Sequence, residues 1–260
     1  MPPRIAIPMP HSSDLEYAER AIPQYERAVQ LAGGEPVRIR LDQPLGEIRK
    51  IIEHCDAVLL PGSKADVDPV KFHSPRSRHT AEADLLRNTV DEFLLRDAQD
   101  KRKPILGICY GLQSLNVFRG GSLIQHIPDF LPEDLRTRVN HEAGRAVAIA
   151  HSVEIKPESK LGKIVGGNGQ NPGAHGPGSE VRSSITVPVN SSHHQSVATI
   201  GEGLRQVARC PDDGIVEALE GSSPDHFVVA VQWHPERSVD YDERSCAIFR
   251  AFVKEANRAR

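Results

Sequence analysis

The segment 104–121 carries the residue best suited to covalent chemistry. It reads P-I-L-G-I-C-Y-G-L-Q-S-L-N-V-F-R-G-G, so Cys109 lies between two glycines, after an apolar run and before a helical pattern. A sharp strand-to-helix turn of this kind lifts a nucleophile off the sheet, and small neighbours avoid a clash. The following helix directs its N-terminus at the sulfur, which favours the thiolate. The pattern therefore predicts a nucleophile, although a lone cysteine is more often a buried packing residue.

A nucleophilic cysteine needs a base, and the segment 228–236, V-V-A-V-Q-W-H-P-E, offers one. His234 and Glu236 follow an apolar strand, and side chains two apart on an extended chain point to the same side. We therefore expect the carboxylate to orient the imidazole. Pro235 stiffens this geometry and ends the strand. Taken alone, the pair would be an ordinary His and Glu at a strand end; together with the cysteine turn it indicates acid–base chemistry.

Acyl transfer also needs backbone N–H groups for the negative charge that develops on the carbonyl oxygen. We expect one donor to be the amide of Tyr110, directly after the nucleophile. The turn L-L-P-G-S-K at 59–64 offers a second at Gly62, where no side chain obstructs the N–H. These residues predict an oxyanion hole.

Composition excludes several other functions. The 260 residues have a net charge of −3 and only 5% aromatic residues, which argues against nucleic-acid binding. No apolar run is long enough to cross a bilayer, and the N-terminal residues lack a signal-peptide stretch, so we expect a cytoplasmic protein without membrane contact. The four cysteines show no paired spacing, which predicts free thiols and no metal. Cys55, Cys210 and Cys246 are interpreted as packing residues.

The elements that must position these groups alternate along the first half of the chain. Apolar runs predict strands at 4–8, 36–39, 57–61 and 104–109, with helices at 17–32 and about 80–99, the second capped by Thr80. Such alternation favours an α/β fold with a mainly parallel sheet.

The second half is richer in strands, predicted at 146–155, 185–189, 205–208, 215–220 and 227–233, and it closes with a helix at 241–259. A glycine-rich segment, 166–180, is interpreted as a flexible loop, with a lid over the site as the alternative. No linker divides the chain, so we expect one domain over 1–260.

The three motifs occur in the order typical of class I glutamine amidotransferase-like proteins, whose Cys–His–Glu triad follows G-x-C-x-G … H-P-E. More narrowly, the chain resembles the gamma-glutamyl-gamma-aminobutyrate hydrolase family, of the gamma-glutamyl hydrolase type of peptidase. The resemblance rests on strings spread along the chain: L-L-P-G-S-K-A-D-V-D-P (59–69), G-I-C-Y-G-L-Q-S-L-N-V (107–117), G-G-S-L-I-Q-H-I (120–127), V-N-S-S-H-H-Q-S-V (189–197), D-G-I-V-E-A-L-E (213–220) and V-Q-W-H-P-E (231–236).

This resemblance implies a flavodoxin-like three-layer α/β/α sandwich that hydrolyses a gamma-glutamyl amide, such as gamma-glutamyl-GABA in polyamine catabolism. It implies no metal or organic cofactor and is compatible with a homodimer. Carried over by motif, Cys109 is the nucleophile, His234 the base and acid, Glu236 its orienter, and Gly62 and Tyr110 the oxyanion donors. Residues implied to line or support the substrate pocket are Gln113, Asn190, His193, His194 and Gln195, although the 190–195 cluster would also satisfy a buried turn.

Three departures from the family pattern concern specificity. Tyr110 replaces the arginine that commonly follows the nucleophile, His126 replaces an aspartate, and the turn at Pro61-Gly62-Ser63 carries an extra residue. The first departure also suits an alternative function, a glutaminase subunit that donates ammonia to a synthetase. Further alternatives are a secreted folate polyglutamate hydrolase, disfavoured by the missing signal peptide, and a non-catalytic binding protein with the same fold.

Overall fold

A computed structural model describes residues 1–167 and 184–259. Its strands are β1 Arg4–Pro8, β2 Glu35–Ile39, β3 Ala57–Leu60, β4 Ile105–Ile108, β5 Ser122–Ile124, β6 His151–Ile155, β7 Ile185–Val189, β8 Ser196–Thr199, β9 Leu204–Arg209, β10 Val216–Gly221 and β11 Val228–Val231. The α-helices are α1 Leu15–Leu31, α2 Leu45–Glu53, α3 Leu85–Asp100, α4 Tyr110–Phe118, α5 Ile127–Phe130, α6 Lys160–Val165 and α7 Glu243–Arg258. Two 3₁₀ turns span Pro69–Phe72 and Pro235–Arg237.

A nine-stranded sheet in the order β2-β1-β3-β4-β11-β10-β9-β6-β7 runs through the described chain. The five strands from β2 to β11 are parallel neighbours, whereas every pairing from β11 to β7 is antiparallel. Two strands, β10 and β6, therefore run against the other seven. The expectation of a mainly parallel sheet is correct in that seven of the nine strands run in the same direction. The strand-rich C-terminal half supplies the antiparallel pairings.

Helices cover both faces of the sheet. The chain moves from β1 to its outer neighbour β2 through α1, and back across the sheet through α2 and α3, so right-handed crossovers place α1 opposite the other two. In the structure α1 and α6 pack against α7, while α3 packs against α2 and α4. The last helix, α7, buries one of its faces, because Phe249, Phe252 and Ala256 are all buried. The result is a three-layer α/β/α arrangement.

Helix α3 begins later than predicted. Its cap is Asp84, whose carboxylate accepts a hydrogen bond from the Arg87 N–H at 3.0 Å. The Thr80 hydroxyl, predicted to cap the helix, instead donates to Gln125 Oε1 at 2.7 Å. The prediction of Thr80 as the cap is wrong because an aspartate four residues later offers a stronger acceptor to the free N–H groups.

Two further features of the chain bear on the predictions. Most of the glycine-rich segment lies outside the described residues, which exclude 168–183, so the choice between loop and lid stays a prediction. Within 1–167 and 184–259 no helix combines the length and the apolar character that a bilayer crossing requires.

Candidate active site

Cys109 occupies a strained turn between β4 and α4. Its backbone has φ 53° and ψ −107°, in the left-handed half of conformational space that a side chain disfavours. The flanking glycines are required by close packing. A Cβ on Gly111 would lie 2.1 Å from the Leu60 carbonyl oxygen, and one on Gly107 would lie 2.9 Å from the Gly111 backbone. The turn therefore has the form of a nucleophile elbow, as its sequence predicts.

His234 reaches the same edge of the sheet because β11 pairs in parallel with β4, with Val231 opposite Ile108. Its Nδ1 lies 2.7 Å from Glu236 Oε1, and both side chains are buried. The predicted contact is thus present, but its predicted cause is wrong. Strand β11 ends at Val231, and the 3₁₀ turn Pro235–Arg237, rather than an extended chain, brings the carboxylate back to the ring.

Gly62 lies against both the cysteine and the histidine. A Cβ on this glycine would lie 2.9 Å from His234 Cε1 and 3.6 Å from Cys109 Cβ, so a larger residue would collide with the imidazole. The Gly62 N–H, predicted as an oxyanion donor, here donates to the buried hydroxyl of Tyr25 at 3.1 Å. Sequence reasoning missed Tyr25, which lies on the buried side of α1 with no motif around it.

Burial dominates the electrostatics of the site. It raises the pKa of the Cys109 thiol to about 12, although Arg237 and the Tyr110 N–H favour the thiolate. Burial also lowers the pKa of His234, against the opposing effect of Glu236. Burial alone would raise the pKa of Glu236, but His234 and Arg237 outweigh it and hold that pKa below its usual value. These shifts favour a thiol beside a neutral imidazole, with an ionised carboxylate behind it.

A cleft of about 380 Å³ opens above the cysteine. It lies beyond the carboxyl ends of the parallel strands, where ligands bind in open α/β sheets. Four basic and two acidic side chains line it, together with Cys109 and His234: Arg20, Lys64, Arg145 and Arg237, against Asp66 and Glu142.

Four of the five predicted pocket residues line this cleft: Gln113, His193, His194 and Gln195. Gln113 is buried and its amide donates to the Gln195 carbonyl at 3.2 Å and to Gln232 Oε1 at 3.3 Å. The His194 ring lies 3.1 Å from Asp66 Oδ1, and the Gln195 amide donates to the Gln125 carbonyl. These contacts fix the side chains in place along the wall of the cleft.

Asn190 and His193 behave differently from a ligand-binding pair. Asn190 is absent from the cleft lining; its amide donates to the His234 carbonyl and accepts from the His234 N–H, both at 2.9 Å. It therefore holds the backbone of His234, and its predicted role of lining or supporting the substrate pocket stays a prediction. His193 borders the cleft, but its Nδ1 contacts the Gln195 carbonyl and its Nε2 faces Glu217. Both ring nitrogens are directed at protein groups.

The departure at Tyr110 is accommodated by a buried arginine. The phenol donates to Asn88 Oδ1 at 2.5 Å, and the Arg87 guanidinium lies 4.8 Å from the centre of the ring. Arg87 also donates to the Pro61 carbonyl at 2.8 Å, directly before Gly62. Sequence reasoning missed Arg87 because a charged residue in an amphipathic helix normally faces solvent.

The remaining cysteines are free thiols. Cys55 and Cys210 are buried, and burial raises the pKa of Cys55 to about 11 and that of Cys210 to about 12. Cys246 is half-buried, and its thiol donates to the Val239 carbonyl at 2.7 Å. None of these thiols lines the cleft, which agrees with packing roles.

Comparison with known proteins matches residues 6–236 to one family, described as peptidase C26. The chain belongs to the peptidase C26 family. The match covers β1 to β11 and includes the cysteine turn and the His234–Glu236 pair. Its C-terminal limit, Glu236, lies just after the last strand of the sheet.

Two relatives of this peptidase C26 protein carry different kinds of name. A glutamine amidotransferase-like protein of Rickettsia prowazekii is 32% identical, over 88% of this chain and 86% of the relative. The gamma-glutamyl-gamma-aminobutyrate hydrolase PuuD of Escherichia coli K12 is 30% identical, over 88% of this chain and 84% of the relative. The solved structure of PurLQS from Thermotoga maritima aligns with a TM-score of 0.57 at 17% identity, covering 98% of this chain and 99% of that one. This last likeness shows the fold alone.

Proposed function

We propose that this peptidase C26 protein hydrolyses the amide bond of a small gamma-glutamyl compound through a glutamyl thioester on Cys109. The observation that carries the proposal is the meeting of a strained cysteine turn with a buried, hydrogen-bonded His234–Glu236 pair across Gly62. A nucleophile, a base and an orienting carboxylate in this order are the parts that covalent amide hydrolysis needs.

The first step transfers the thiol proton to His234 as the sulfur attacks the gamma-carbonyl carbon. Because the resting cysteine is a thiol, the base must remove this proton during attack rather than beforehand. Glu236 stabilises the imidazolium that forms. The amide of Tyr110 donates to the developing oxyanion, and that of Gly62 joins it by turning from the Tyr25 hydroxyl to the substrate oxygen.

The second half of the reaction releases both products. His234 gives its proton to the departing nitrogen, so that the C–N bond breaks, the amine leaves and the thioester remains. Water then adds to the thioester carbonyl while His234 accepts a proton from it, and collapse returns the proton to sulfur and releases glutamate. The four basic side chains of the cleft suit the alpha-carboxylate of the glutamyl group, and the two acidic ones suit its alpha-ammonium group.

A hydrolysis screen tests the proposal. Purified protein is offered gamma-glutamyl-GABA, other gamma-glutamyl amides and glutamine, with release of glutamate as the readout. We expect turnover of at least one gamma-glutamyl amide and a loss on the order of 10⁴–10⁶-fold in Cys109→Ala, because removal of a covalent nucleophile leaves only the oxyanion hole and binding. Cys55→Ala, which changes a thiol outside the cleft, is the matched control and should keep wild-type turnover.

Two outcomes of the screen would contradict the proposal. Wild-type turnover in Cys109→Ala would remove the cysteine from the mechanism. Weak activity on glutamine alone would instead favour the ammonia-donating glutaminase, a function that the amidotransferase-like name of the Rickettsia relative supports.

A further inference from the structure

A second cluster of reactive side chains lies behind the wall of the cleft. His141, His151, His193 and Glu217 come from four separate parts of the chain, and each is at most 8% exposed. Their ligand-type atoms all lie within 4.8 Å of one another. The proposed hydrolysis assigns no chemical step to this cluster.

The three imidazoles surround one carboxylate oxygen. Glu217 Oε1 lies 3.3 Å from His141 Nδ1, 3.5 Å from His151 Nε2 and 3.6 Å from His193 Nε2. These distances exceed the roughly 2.7–3.2 Å that is usual for N–H···O hydrogen bonds. Within the described residues, the three nitrogens and both Glu217 oxygens have no hydrogen-bond partner.

The other nitrogen of each ring fixes where the proton lies. His141 Nε2 is 2.8 Å from Asp213 Oδ2, His151 Nδ1 is 3.1 Å from the Ser152 carbonyl, and His193 Nδ1 is 2.9 Å from the Gln195 carbonyl. A carbonyl or carboxylate oxygen can only accept, so each of these nitrogens must carry the hydrogen. In a neutral imidazole the inward nitrogen is then a bare lone pair.

With all three imidazoles neutral, three lone pairs and a buried carboxylate converge on the same small space. Such an arrangement leaves buried acceptors facing one another, which is costly unless a positive charge lies between them. A divalent cation would bind the lone pairs of all four side chains at once. Its two charges would be balanced by Glu217, as a ligand, and by the Asp213 carboxylate behind His141.

We propose that His141, His151, His193 and Glu217 form a structural zinc site. Neutral imidazoles and a carboxylate are ligands that zinc commonly takes, and each histidine donates its outer N–H to an acceptor, as metal-bound histidines usually do. Tetrahedral zinc with bonds of about 2.0–2.1 Å separates its ligand atoms by roughly 3.3 Å, close to the separations from Glu217 Oε1. Four protein ligands in a buried setting leave no open position for a substrate.

The site would tie together segments that support the catalytic base. The backbone N–H of His193 donates to the His141 carbonyl at 2.9 Å. Three residues earlier, the side-chain amide of Asn190 holds the His234 backbone. Zinc would therefore fix the 190–195 segment against β6 and β10. This role is structural and stands whether or not the proposed hydrolysis is correct.

Metal analysis of the full-length protein tests the proposal without any turnover measurement. The protein is stripped with a chelator and titrated with zinc, followed by elemental analysis and the melting temperature. We expect one tightly held zinc per chain and a higher melting temperature in the loaded form, since a ligand that binds only the folded state stabilises it. Absence of stoichiometric zinc in the wild type would overturn the proposal.

Three variants locate the metal. Glu217→Gln should abolish stoichiometric binding, and Asp213→Asn, which keeps all four ligands, should weaken it by about 10–100-fold. The matched control is His79→Asn, in the exposed His79, His126 and Asp129 cluster, and should bind like the wild type. Loss of zinc in His79→Asn with retention in Glu217→Gln would mean that the metal is on the surface.

A measurement on the wild type covers the case in which Glu217→Gln fails to fold. Cobalt replaces zinc in such sites, and a tetrahedral ligand set gives it an intense visible spectrum. We expect that spectrum on titration of the stripped wild type with Co²⁺, together with its loss when zinc is added. A weak octahedral spectrum would contradict the four-ligand site.

Discussion

The protonation state of the Cys109–His234 pair determines how the rate should depend on pH. In the proposed mechanism the imidazole must be neutral to take the thiol proton, and burial lowers its pKa below the ordinary value of 6.5. The active base therefore persists into more acidic solution. The acid limb of the kcat/KM profile should have its midpoint below pH 6.5, measured on the best substrate from the screen, whereas a midpoint above about 7 would contradict this assignment.

The same profile separates the role of Glu236 from general destabilisation. Its negative charge favours the imidazolium and so raises the pKa of His234. Glu236→Gln should shift the acid limb to still lower pH and reduce kcat on the order of 10²–10⁴-fold. Glu47→Gln, which changes an exposed carboxylate on α2 outside the cleft, should leave both unchanged.

At the scale of elements, the close approach of α4 to β3 makes Gly111 irreplaceable. A Cβ there would lie 2.1 Å from the Leu60 carbonyl oxygen, which belongs to the strand and cannot move away cheaply. We expect Gly111→Ala to lower the free energy of unfolding by about 1–3 kcal/mol and to abolish hydrolysis, because the helix that carries the Tyr110 amide must shift.

Another helix of the chain offers a matched control for this substitution. Gly46 lies in the first turn of α2, where a Cβ would have nothing within 4 Å of it, so Gly46→Ala should stabilise the protein by about 0.4–1 kcal/mol. Denaturant unfolding measures both changes. Equal stability of the two variants would show that the helix–strand contact tolerates a methyl group.

How far the sequence predicts these elements depends on whether their cause is local. The turn at Cys109 depends on two glycines, each two residues away, and on a strand-to-helix transition, all visible in one short segment. The cap of α3 and the 3₁₀ turn after His234 depend on competition between neighbouring residues. The sequence pattern therefore indicates the wrong cap residue for α3, and an extended chain where the structure has the turn. The histidines near Glu217 come from distant segments without a spacing pattern, so the sequence does not indicate that they meet. The prediction of no metal rests on the spacing of the cysteines.

At the scale of the whole molecule, a buried arginine of α3 forms an ion pair within its helix and also contacts the turn at Pro61. Arg87 Nε lies 2.6 Å from Asp91 Oδ1, with both side chains fully buried, and the guanidinium also holds the Pro10 and Pro61 carbonyls. Removing one charge leaves the other buried without a partner. Arg87→Met should therefore lower the free energy of unfolding by about 3–5 kcal/mol.

A double substitution tests whether Arg87 positions the turn as well as pairing with Asp91. The double variant Arg87→Met with Asp91→Leu should regain most of the free energy of unfolding that Arg87→Met loses, as measured by denaturant unfolding. Its kcat should stay below that of the wild type because the Pro61 carbonyl has lost its donor. Arg40→Met, in an exposed pair with Asp42, should leave stability unchanged. Full recovery of kcat in the double variant would limit Arg87 to a structural role.

The central place of β11 in the sheet has a consequence for the synthesis of the protein on the ribosome. This strand is the last of the described strands to be synthesised, yet it lies between β4 and β10 and delivers His234 to the cysteine. Translation proceeds from the N-terminus, so a nascent chain exposes the edge of β4 until residue 231 has emerged. During that interval Cys109 lacks the histidine that the proposed mechanism assigns as its base. Under that mechanism the growing polypeptide cannot hydrolyse a substrate until this last strand has joined the sheet.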